Sequence, residues 1–245
     1  MRRVFFVTAL TLVGFANSAK ADILFNLDGY YHYSRLEYAA TAASFSLLSD
    51  NGTGGAAEFG VGLPWLDVFA DVRMDQHAFK APSSRTVSGL NATTNNYGFG
   101  FRGHIQGFWF YLKGEQDDTL YVLPDGTNFA LSKGQTTFVK GGFRAFGWGA
   151  GYVLTVEAEA GYPVSSSTAS NGDEIKYSYT TLGLARVEFG STARVGIFSS
   201  FSTEQYAVGS AKFFRLDFSG GICITIQGSG GSGGSGGRAI PRYPL

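Results

Sequence analysis

Cysteine is almost missing from this chain: Cys223 stands alone among 245 residues, which excludes an internal disulfide framework. No histidine or metal-ligand spacing lies near it, so it reads as a small strand residue rather than a reactive thiol. Charge is also scarce, at 16% of residues, against roughly 25% in a typical soluble domain. The two signs balance at 19 each, so no net field points toward nucleic acid or an acidic ligand. No segment approaches ~18 consecutive apolar residues, and residence in a membrane therefore has to come from strands. Glycine-rich phosphate loops, metal-ligand clusters and nucleophile elbows are lacking as well, so neither a cofactor nor a metal is expected.

Glycine and aromatic residues are in excess. The chain has 35 Gly, 22 Phe and 13 Tyr, a composition that favours sheet and turns over helix. At its start Arg2 and Arg3 precede an apolar run from Val4 to Ala16 and the small-x-small site Ala19-Lys20-Ala21. Residues 1–21 thus read as a signal peptide cut before Asp22.

Beyond that point the segments alternate apolar with polar residues at a period of two, placing successive side chains on opposite faces of strands. Ile23, Phe25, Leu27, Gly29, Tyr31 and Tyr33 share one face, while Asn26, Asp28, Tyr30, His32 and Ser34 share the other. The pattern recurs around Phe59, Val72, Phe101, Phe110, Phe143, Leu154, Val187, Ile197 and Ile222. It predicts about ten strands, with eight and twelve as the neighbouring counts. In the Val187 segment, Tyr177 and Tyr179 fall on the apolar face and Lys176, Arg186 and Glu188 on the polar one. Tight gaps near Pro64, Gly107, Gly147 and Gly190 alternate with longer polar gaps centred on Asp50, Ser84, Asp125, Ser167 and Tyr206. Short turns at one end, longer loops at the other and dyad strands between them predict an all-β, antiparallel, up-and-down transmembrane barrel over residues 22–227. An even strand number returns both chain ends to the periplasmic side.

Trp65, Trp109 and Trp148 sit in or beside the short turns, where they are expected to gather at one rim as an interfacial aromatic girdle. On the signal peptide, the dyad strands, the alternation of turns and loops and this tryptophan set, the chain resembles the small bacterial outer-membrane β-barrel proteins over Asp22 to Gln227. The resemblance implies a Gram-negative-type outer membrane and insertion by the barrel-assembly machinery. It is architectural and carries no single function. One departure is the last strand: such barrels usually end on an aromatic residue, whereas Ile222 to Gln227 ends polar. A secreted β-sandwich or lipocalin-like barrel also alternates, with its apolar face inward, but has no reason to sort its tryptophans to one end.

With the apolar face toward lipid, the polar face lines a lumen with both signs: Asp28, Asp71, Arg73, Arg102, Lys113, Glu115, Lys140, Arg144, Glu157, Arg186, Arg194 and Arg215. In a barrel only slightly wider than one filled by its own side chains, these charges are expected to pair and close the lumen. The functional expectation is a structural or interaction protein that is not an enzyme. The alternative is a narrow, ion-selective pore. A barrel enzyme comes third, with Asp75 and His77, two apart on one face, as its acid–base candidates.

Small residues on the lipid face of the middle strands, Gly141, Ala145, Ala158, Ala160, Gly183 and Ala185, permit close approach in a membrane. They mark the expected protomer interface of a homo-oligomer enclosing lipid. Residues 228–237 read as a flexible Gly/Ser linker, native or added, and residues 238–245 as a basic, Pro-containing tail.

Overall fold

The computed structural model describes residues 22–41, 43–62, 66–105, 107–165, 167–191 and 193–228. The signal peptide, Trp65 with the turn at Pro64, and the linker and tail beyond Gly228 lie outside the described residues.

Among the described residues twelve strands form one sheet: β1 (Asp22–Ala40), β2 (Ala43–Gly62), β3 (Leu66–Ala78), β4 (Val87–Ser88), β5 (Asn91–Ile105), β6 (Phe108–Asp125), β7 (Asn128–Gly149), β8 (Tyr152–Pro163), β9 (Ser167–Thr168), β10 (Glu174–Gly190), β11 (Ala193–Val208) and β12 (Ala211–Gly228). Phe25 of β1 pairs with Phe59 of β2 and with Ile226 of β12, so the ten long strands close into an antiparallel barrel. The short strands are additions at the loop end: β4 lies parallel to β7, and β9 antiparallel to β10. Closure leaves no sheet edge in the membrane, where an unpaired backbone group has no water to bond.

The dyad pattern sets which face meets lipid. Phe101, Phe110, Leu154, Ile197 and Ile222 point outward and stay exposed on the barrel, while Asp28, Arg102, Glu115, Lys140 and Arg215 point inward. On β11 the outward series Val195, Ile197, Ser199 and Phe201 gives way to Thr203 and Gln205. An apolar stretch of about ten residues per strand matches a ~25 Å hydrocarbon belt.

Most strands are far longer than that belt requires. β1, β2, β6 and β7 run to 19, 20, 18 and 22 residues, against the ~9–11 that cross a bilayer. Above the belt the two faces exchange polarity. Outward residues become charged, with Arg35 paired to Glu37 at 2.7 Å and Lys133 to Asp118 at 3.0 Å. Inward residues become apolar: Leu36, Tyr38, Phe45, Leu47, Tyr206 and Phe213 belong to one buried cluster, which Leu120 joins, that fills the loop end of the barrel. The upper part thus has the polarity of a water-soluble barrel, continuous in backbone with a membrane barrel below.

This extension corrects the expectation of long outer loops at Asp50, Asp125 and Tyr206. Asp50 and Tyr206 lie inside β2 and β11, and Asp125 ends β6. The apolar inward residues make the extra sheet worthwhile, because burying them together stabilises strands that the membrane no longer supports. The outer connections after β1, β6 and β11 are two residues long, and only those carrying β4 and β9 are extended. At the opposite end Gly107 and Gly151 take φ of 85° and 84°, the left-handed geometry that tight hairpins need.

A register shift between Tyr177 and Tyr179 corrects a second expectation. The bulge reverses the face assignment on its loop side, so Tyr177 turns inward, its hydroxyl 2.5 Å from Thr119 Oγ1. Lys176 points to solvent and pairs with Glu174 at 3.3 Å.

Candidate functional site

The middle of the barrel holds a continuous ion-paired network contributed by six neighbouring strands, β2, β3, β5, β6, β7 and β8. Glu58 on β2 accepts from Arg102 Nη2 at 3.0 Å and from Arg144 Nη2 at 3.3 Å. Arg144 Nε donates to Glu157 at 2.7 Å, and the Tyr111 hydroxyl links Glu157 to Glu159 at 2.7 and 2.9 Å. Lys113 lies 3.4 Å from Asp71 and 3.1 Å from Glu159, and is also bonded to Glu115. Lys140 joins Glu115 at 2.7 Å to Asp117 at 2.5 Å.

Separate pairs complete the wall. Arg186 meets Asp28 at 2.7 Å, Arg73 meets Asp75 at 2.8 Å, Arg215 meets Asp217 at 2.9 Å, and Arg194 lies 3.8 Å from Glu188. All twelve lumenal residues picked out by alternation therefore face inward beside an oppositely charged partner. Pairing is what desolvation demands, since a buried charge without a partner costs several kcal/mol, of order 3–5 when one partner is removed. The network surrounds a cavity of about 160 Å³ lined by Asp28, Glu58, Asp71, Arg144 and Glu204, among others. That is room for on the order of ten waters.

Trp109 is not part of an aromatic girdle. As an odd-numbered residue of β6 it shares the inward face with Tyr111 and Lys113, and it is 4% exposed. The guanidinium carbons of Arg102 and Arg144 lie 4.4 and 5.5 Å from its ring centre, an arrangement that uses the negative π-face in place of water. With Leu24 and Phe146 it fills the lumen at the terminal end. Trp148 is half exposed at the end of β7, against the Gly107 turn, which suits an interfacial position.

On the lipid face Gly141, Ala145, Ala158, Ala160 and Ala185 lie close together across β7, β8 and β10. Gly183 is different. A Cβ there would sit 2.4 Å from the Phe201 ring of β11, so the glycine is already covered by its cross-strand neighbour and offers no open surface.

Asp75 and His77 share a face without bonding each other. Asp75 is taken by Arg73 and Tyr30, and His77 contacts Ser34 and Thr94. Glu204, 3.9 Å from Arg215, belongs to the network and was missed, although even numbering from Arg194 along β11 places it inward.

No protein-family model matches the chain, and neither does any curated protein. Among solved structures it is similar to the outer membrane protease OmpT from Escherichia coli, with a TM-score of 0.53, 9% identity, and coverage of 84% of this chain and 97% of that one. Neisserial surface protein A matches with a TM-score of 0.28 and 13% identity over 82% of this chain and 96% of its own. Ail from Yersinia pestis matches at 0.29 and 10% over 83% and 98%. These identities bear on the fold alone. With its closed ten-strand barrel, its apolar belt and its likeness to OmpT, the chain has the fold of a transmembrane β-barrel of the outer-membrane type.

Proposed function

We propose that the protein is a non-conducting, non-catalytic barrel whose role is structural or interactive, presented through the polar sleeve that rises above the outer membrane surface. One observation carries this reading: the apolar cluster around Leu36, Leu47, Leu120 and Phe213 caps a lumen already occupied by ion pairs. Water and ions then lack a continuous polar path. Reconstituted into planar bilayers, the protein is expected to show no steady conductance. Reproducible ion-selective channels, with selectivity altered by Arg102→Glu or Glu115→Lys, would establish the narrow pore instead.

The same reading includes self-association through lipid-facing Gly141, Ala145, Ala158, Ala160 and Ala185, where low relief favours close packing. A ring built by this repeated contact would enclose lipid, because every strand is apolar on its outer face within the belt. Particle mass in native-like membranes tests it, and monomers alone would overturn it.

A further inference from the structure

Just below the apolar cap, His32 on β1, His77 on β3 and Asp217 on β12 each bring one ligand atom within 4.8 Å of the others, and all three are buried. Ser34 Oγ sits among them, 3.4 Å from His32 Nδ1 and 3.1 Å from His77 Nδ1, and donates to Asp217 Oδ1. We propose that these four side chains form a binding site for a divalent first-row transition metal, Zn2+ foremost, which ties β1, β3 and β12 together beneath the cap.

The strand between them is shaped for this contact. β2 separates β1 from β3, and its inward positions here are Gly52 and Gly54. A Cβ at 52 would meet the His32 ring at 2.4 Å, and one at 54 would meet the Tyr30 ring at 2.3 Å. Without side chains on β2, those of β1 cross it. His32 Nε2 thereby reaches the Gln76 carbonyl of β3 at 3.1 Å, and the two imidazole rings come to 4.6 Å between centroids.

Each ligand is also held from behind, as metal ligands characteristically are. A carbonyl only accepts, so His32 Nε2 carries the hydrogen and its Nδ1 lone pair points at Ser34. Asp217 Oδ2 pairs with Arg215 Nε at 2.9 Å, which leaves Oδ1 for the centre. His77 stacks on Phe79, and its Nε2 lies 3.2 Å from Thr94 Oγ1. Arg215 Nη2 is 3.3 Å from that same Nε2, but a guanidinium can only donate. With a metal on Nδ1, the Nε2 hydrogen goes to Thr94 and Arg215 stays with Asp217.

Two imidazoles, a carboxylate and a hydroxyl suit Zn2+ and its neighbours, whereas Ca2+ and Mg2+ favour all-oxygen shells. Charge agrees. Among the described residues the three carboxylates Asp75, Asp217 and Glu204 form their ion pairs with two cations, Arg73 and Arg215, an acidic surplus that a bound cation would offset.

The test uses untagged protein purified in mild detergent, stripped with a chelator and titrated with Co2+, then with competing Zn2+. The expected result is about one ion per chain with the visible absorption of N,O-ligated Co2+, abolished by Zn2+. His32→Gln and Asp217→Asn should each weaken binding at least about tenfold, while Arg35→Ala on the outer face leaves it unchanged. Folding of each variant is checked by heat-dependent gel mobility. Ser34→Cys keeps the other three ligands and should add a thiolate-to-Co2+ charge-transfer band. No stoichiometric absorption in the wild type overturns the proposal, as do ligand variants that bind like the wild type. Should those variants fail to fold, the absence of the Ser34→Cys band overturns it.

Discussion

Arg35 and Leu36, neighbours on β1, have the opposite polarity arrangement to Leu27 and Asp28 on the same strand: Arg35 faces out toward Glu37, and Leu36 is fully buried inside the barrel. The exchange between these pairs marks where the strand leaves lipid for water. Below it the solvent outside is hydrocarbon and polar groups turn inward; above it the solvent is water and apolar groups do. Leu36→Ala is therefore expected to destabilise the barrel by ~2–5 kcal/mol through the cavity it leaves, whereas Arg35→Ala stays within about 0.5 kcal/mol. Urea unfolding in liposomes measures both, and equal costs would refute the inversion.

Depth within the belt gives a second prediction. Val156→Arg, on the lipid face near the middle of the β8 belt, should cost ~2–4 kcal/mol, while Tyr162→Arg, farther along the same face toward the loop end, should cost ~0–1 kcal/mol. Arg144→Leu, on the inner face, leaves Glu58 and Glu157 short of a partner and should cost ~3–5 kcal/mol. A tolerated Val156→Arg would mean that the face assignment is out by one residue.

The two tryptophans placed by the structure should respond differently to lipid. In single-tryptophan variants, brominated acyl chains are expected to quench Trp148, which is half exposed, and to spare Trp109, which is enclosed by Arg102 and Arg144. Comparable quenching of both would return Trp109 to the membrane rim.

Much of this was legible in the alternation itself. The parity that put Asp28, Arg102 and Lys140 inward needed no knowledge of their partners, because a half-buried strand shows its faces residue by residue. Trp109 is equally legible by parity with Tyr111 and Lys113, because nearness to a turn does not change the face a strand residue occupies. Leu36 and Tyr38 looked like the end of the pattern, although they continue it with the sign reversed. The bulge at Tyr177 and the meeting of His32 with His77 were not readable. Both depend on strand register, and the second also needs two glycines on the intervening strand.

The last prediction separates folding from association on the lipid face. A Cβ at Gly141 would find its nearest neighbour, Leu112 Cδ1, at an ordinary 3.8 Å, whereas one at Gly183 would meet Phe201 at 2.4 Å. Gly141→Leu should therefore keep the barrel folded, since the new side chain enters lipid, and should force neighbouring protomers apart if this stripe is where they meet. Gly183→Leu has to displace the Phe201 ring and should lower stability whatever the oligomeric state. Unfolding curves read the second effect and particle mass the first. An unchanged oligomer in Gly141→Leu would move the contact to other strands, and a Gly183→Leu variant as stable as the parent would show that Phe201 does not cover the glycine.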